Sequence, residues 1–73
     1  MRTGRLFTFD TTHHALWAEE IAVESGIPAE LVPAPPAANA RCNLALETFP
    51  ADFERTRTAL REAGVPFGVH PSG

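Results

Sequence analysis

The sequence predicts an α+β fold in the order β-α-β-β-α-β. Two stretches read as helices, and each is stopped by a glycine, Gly26 and Gly64. Four short runs of aromatic, aliphatic and β-branched residues read as strands. A proline-rich segment between the second and third runs cannot be a regular strand interior, because its prolines lack ladder donors.

Arg5 to Phe9 (Arg-Leu-Phe-Thr-Phe) is β-prone and gives the first strand. Asp10, Thr11 and Thr12 are all suitable N-cap residues. The first helix is expected over Thr12 to Ser25, with Ala18, Ile21, Ala22 and Ser25 recurring at helical spacing. Ile27 to Val32 is the second strand. The segment from Pro33 to Ala40, with Pro33, Pro35 and Pro36, is a stiff connector of polyproline character. Cys42 to Thr48 is the third strand. Pro50 suits the first turn of the second helix, whose apolar stripe is Phe53, Thr56, Leu60 and Ala63. Val65 to Val69 is the fourth strand, with Pro66 pointing to an edge position, and His70 to Gly73 is a loose tail.

Length and composition restrict the function classes. The 73 residues make one domain, with an ordered core over about 5–70. Hydrophobic and charged fractions of 44% and 21% are globular values. A net charge of −3, with six arginines spread along the chain and no lysine, argues against nucleic-acid binding. No apolar run approaches a membrane span, and the N-terminus does not read as a signal peptide. A cytoplasmic location is therefore expected, where a free thiol is stable. The Ala/Arg/Pro-rich, lysine-free composition suggests a bacterial, GC-rich source. A single cysteine excludes an intrachain disulfide. A domain this small gains from self-association, and the open face of the sheet is the candidate surface for a homodimer.

The element order is that of the ferredoxin-like split arrangement, a four-stranded antiparallel sheet of order 4-1-3-2 with two helices on one face. In that topology the start of the third strand lies against the end of the first. Cys42 is then beside Phe9, Asp10 and Thr11 and near the start of the first helix. The amides near Thr11 and Thr12, and the helix dipole, would favour a thiolate there. Arg41 would add positive charge, and Asp10 would oppose it. His70, at the far end of the fourth strand, is expected out of reach.

Each candidate has a structural alternative. Most free cysteines are small buried hydrophobes. His13 and His14 are adjacent and point about 100° apart on a helix; one of them is a candidate base for the thiol, or both are surface residues. Trp17 is a core or interface anchor. Phe7, Phe9, Phe49, Phe53 and Phe67 are core residues or line a sheet face that needs covering. No CxxC or HxxxH spacing is present, so no metal site is read, and no cofactor is expected.

The stretch Thr8-Phe9-Asp10-Thr11-Thr12-His13-His14-Ala15-Leu16-Trp17-Ala18-Glu19 resembles the opening motif of a small bacterial family labelled "putative selenium/sulfur carrier protein-like". Thr8, Phe9, Thr12, His14, Ala15 and Glu19 match. Pro33 and Pro35 match a Pro-x-Pro-Arg loop, with Pro36 where the arginine is usual. Cys42, Leu44, Ala45 and Leu46 match a Cys-Gly segment, with Asn43 replacing the glycine; asparagine tolerates the left-handed backbone that glycine permits. The resemblance spans about Leu6 to Val69. It implies that Cys42 carries sulfur or selenium as a persulfide or perselenide. Donor and acceptor proteins would be its partners, and Asp10, Thr11, Thr12, His14, Pro33, Pro35, Arg41 and Asn43 would surround the site. Two further readings stand beside it. One is a non-enzymatic interaction or ligand-binding module whose cysteine is structural, and the other is a metal-binding protein using Cys42 with His13 or His14. A stand-alone enzyme is not indicated, since no paired carboxylates or triad spacing can be read.

Overall fold

The computed structural model describes residues 5–36 and 41–71. It contains β1 (Arg5–Thr8), α1 (Thr12–Glu24), β2 (Ala29–Pro33), β3 (Leu44–Thr48), a 3₁₀ turn (Pro50–Asp52), α2 (Phe53–Ala63) and β4 (Gly68–Pro71). The four strands form one antiparallel sheet of order β2-β3-β1-β4. This is the order 4-1-3-2 read from the other edge.

Thr11 is the N-cap of α1. Its backbone is extended, and its side chain accepts the His14 N–H at 3.1 Å. The buried face of the helix is made of Ala15, Ala18 and Ala22, small residues that let the backbone approach the sheet. Trp17 and Ile21 pack at its margin, while Ser25 is the exposed C-cap rather than part of the stripe. In α2 the buried residues are Phe53, Thr56 and Leu60. The Thr56 hydroxyl donates to the Asp52 carbonyl at 2.8 Å, so its burial leaves no donor unmatched. Asp52 itself pairs with Arg55 at 3.0 Å.

Both helices end in the same motif. Gly26 and Gly64 take positive φ (70° and 82°). The following amides, of Ile27 and Val65, donate five residues back, to Ala22 and Leu60. Ile27 and Val65 are buried, and a proline follows each, so Glu24-Ser25-Gly26-Ile27-Pro28 and Glu62-Ala63-Gly64-Val65-Pro66 are structural equivalents. This motif corrects two strand boundaries. The second strand starts at Ala29, not Ile27, and the fourth at Gly68, not Val65, because the capping amide is already engaged and the proline has none to give. The fourth strand consequently runs on to Pro71, and His70, expected in a loose tail, pairs with Leu6. Ser72, Gly73, residues 1–4 and the end of the proline-rich segment, 37–40, lie outside the described residues.

The core lies between the sheet and the two helices, which pack on the same face. Phe7 and Leu46 are cross-strand partners and share one cluster with Ala15, Ala18, Phe53 and Leu60. The Phe7 ring stacks on Phe53 at 5.0 Å and meets Phe67 edge-on at 5.3 Å. Strand alternation puts Glu30, Glu47, Leu6 and His70 in one cross-strand row on the opposite face, and Val32, Ala45, Thr8 and Gly68 in the next. No Phe, Trp or Tyr of the described strands stands on that face.

Candidate functional site

Cys42 is not in β3. It lies in a bend two residues before the strand begins at Leu44. The β1–β3 register, with Thr8 opposite Ala45, would bring Leu44 opposite Phe9. The Phe9 carbonyl instead accepts the amide of Cys42 at 3.3 Å. The segment 42–44 therefore bulges out of register, and the bulge turns the sulfur back onto its own chain. The Leu44 N–H donates to Sγ at 3.3 Å. Thr12 Oγ1 lies 3.7 Å from Sγ. When the sulfur is a thiol, either partner of that second contact can donate; when it is a thiolate, only the hydroxyl can.

The donors differ from those expected. The amides near Thr11 and Thr12 were the anticipated partners; the His14 and Ala15 N–H groups that follow them are taken by the Thr11 side chain and carbonyl. Among the described residues the polar contacts of Sγ are the Leu44 amide, which donates to it, and the Thr12 hydroxyl, where either atom can donate. The Leu44 amide was missed because a side chain accepting from the backbone two residues on has no sequence signature apart from the bulge that permits it.

The other expected site residues are distributed around this point. Asp10, Thr11, Thr12, Arg41 and Asn43 are exposed beside the buried sulfur. The Asn43 carbonyl accepts the Ala34 amide at 2.7 Å, and Pro33 pairs with Leu44. These contacts tie the start of the proline-rich segment to the site, and Pro35 follows, half-buried. His14 is turned elsewhere. Thr12 faces the sulfur, and a residue two further along a helix points about 200° away. The His14 ring packs near Trp17 and His13 (centroids 6.4 and 6.1 Å), and its buried Nδ1 has no hydrogen-bond partner among the described residues. Among the described residues no three His, Cys, Asp or Glu side chains gather to hold a metal ion.

Cys42 is 4% exposed and belongs to the same core cluster as Phe7, Phe9 and Leu46. Fold and site together define a small α+β protein with one sulfur atom seated where a central strand and a helix begin. The chain belongs to the "Putative Se/S carrier protein-like" family, whose model matches residues 5–70. No curated protein and no solved structure matches it. No helix among the described residues is long and apolar enough to cross a membrane.

Proposed function

We propose that this ferredoxin-like domain carries sulfur or selenium on Cys42. The observation that carries the proposal is the polar seat of Sγ, the Leu44 amide at 3.3 Å and the Thr12 hydroxyl at 3.7 Å, in a chain of a family named for such carriage. Both groups can donate to the sulfur when it is a thiolate. The Cys42 thiolate attacks the outer sulfur of a donor persulfide. The donor's S–S bond breaks and its thiolate leaves, while a new S–S bond forms on Cys42. An acceptor thiolate then takes the outer sulfur in the same manner and returns Cys42 to the thiolate. The exchange conserves electrons and needs no second cysteine in this chain. Donor and acceptor would approach over the exposed rim of Asp10, Thr11, Arg41 and Asn43, with Pro33 and Pro35 alongside, in a cytoplasmic setting.

Burial of Cys42 in the core cluster favours a second reading, an interaction module in which the cysteine is packing. One experiment separates the two. The native protein is treated with glutathione persulfide and its intact mass measured. Carriage requires a gain of one sulfur atom that thiol reductant removes and that Cys42→Ser abolishes. No uptake by the folded protein, with uptake only in denaturant, would leave the packing reading standing.

A further inference from the structure

Helix α1 carries an outward stripe that the sheet does not cover. His13, Leu16, Trp17 and Glu20 recur at i, i+3, i+4 and i+7, and among the described residues they alone line a shallow groove of about 380 Å³. Leu16 is 51% exposed, a large apolar side chain in water at the centre of the stripe. His13 and Glu20 are exposed at its two ends.

The stripe is self-complementary. An isologous dimer brings the same patch of both copies together about a two-fold axis. With that axis between Leu16 and Trp17 and the helices antiparallel, Leu16 meets Trp17 of the partner subunit, and His13 meets Glu20 of the partner subunit. A parallel pairing would instead set histidine on histidine and glutamate on glutamate. The antiparallel pairing also opposes the two helix dipoles. The sheet face opposite the helices, where Leu6 and Ala45 are buried, has no such pattern. There Glu30 stands opposite Glu47.

We propose that α1 is the dimer surface of this protein, two copies packing their α1 helices antiparallel through Leu16, Trp17, His13 and Glu20. The stripe borders the sulfur site without including it: Leu16 lies one turn along the helix from Thr12, which faces Cys42. The dimer forms in a concentration-dependent equilibrium.

Sedimentation equilibrium over a concentration series tests this. The wild-type chain shifts from monomer to dimer, and Leu16→Glu, at an exposed position, weakens association by ~10-fold or more. A charge exchange tests the register. His13→Glu alone sets glutamate against glutamate, and Glu20→Lys alone sets lysine against histidine, so each variant by itself stays monomeric. Mixed together they form a heterodimer in which the introduced glutamate meets the introduced lysine. A wild-type chain that stays monomeric throughout overturns the proposal. So does a dimer insensitive to Leu16→Glu, or a pair of charge variants that fails to associate on mixing.

Discussion

At Cys42 a buried sulfur meets two polar groups of different kinds. One is a backbone amide that no side-chain substitution removes, and the other is a hydroxyl that Thr12→Val deletes at nearly constant volume. Losing a hydrogen bond of ~1 kcal/mol corresponds to about fivefold. Native-state alkylation of Cys42 by iodoacetamide at neutral pH is therefore expected to slow about fivefold in Thr12→Val and to recover in Thr12→Ser. Equal rates in all three proteins would show that the hydroxyl does not act on the sulfur. Cys42→Ser should lower stability, because contacts of 3.3 and 3.7 Å to sulfur are too long for the oxygen on its shorter bond. Its thermal midpoint, measured by circular dichroism, is the control for every experiment on this residue.

Among the elements, the repeated helix ending has the clearest energetic signature. A Cβ added at Gly26 or Gly64 would meet nothing within 4 Å. Any cost of Gly26→Ala or Gly64→Ala therefore comes from the positive φ alone, about 1 kcal/mol each. For a domain of this size that is a fall of roughly 4–8 °C in the melting midpoint. Gly68 is the contrasting case. It has no positive φ, but its Cβ would lie 2.9 Å from Thr8 Oγ1, the end of a side chain able to rotate, so Gly68→Ala should cost less than Gly64→Ala. The reverse ranking would mean that cross-strand crowding outweighs the helix ending. At the other end of α1, Thr11→Ala removes the bond to the His14 amide and should cost ~1 kcal/mol in urea unfolding.

Across the whole molecule, stability concentrates in the aromatic contact between the two halves. Phe7 on β1 stacks on Phe53 of α2 and is fully buried. Phe7→Ala should cost about 3–5 kcal/mol. Stabilities of folded domains start near 5 kcal/mol, and a chain of 73 residues has little surplus. A large loss of the native baseline in urea titration is expected, and a shift under 1 kcal/mol would mean that the core repacks around the gap. Dimerisation through α1 adds stability by mass action, so the wild-type melting midpoint should rise with protein concentration while that of Leu16→Glu does not.

The order of elements, the antiparallel sheet and the meeting of Cys42 with the start of α1 were legible in the sequence. They follow from local chemistry: glycine at positive φ, proline without a donor, threonine as a cap, and a topology that leaves few alternatives. Strand limits were misplaced where a residue served two elements at once, as Ile27 and Val65 do in capping a helix with the amide that a strand would have used. The seat of the sulfur was beyond sequence for a related reason. Whether Sγ meets α1 amides or the Leu44 amide depends on a register break between Phe9 and Cys42, and hydrogen bonds across that distance in the chain are decided by the packing of the sheet against its helices. The outward pattern of α1 was present as four residues, but only the tertiary structure showed which side of the helix the core leaves uncovered.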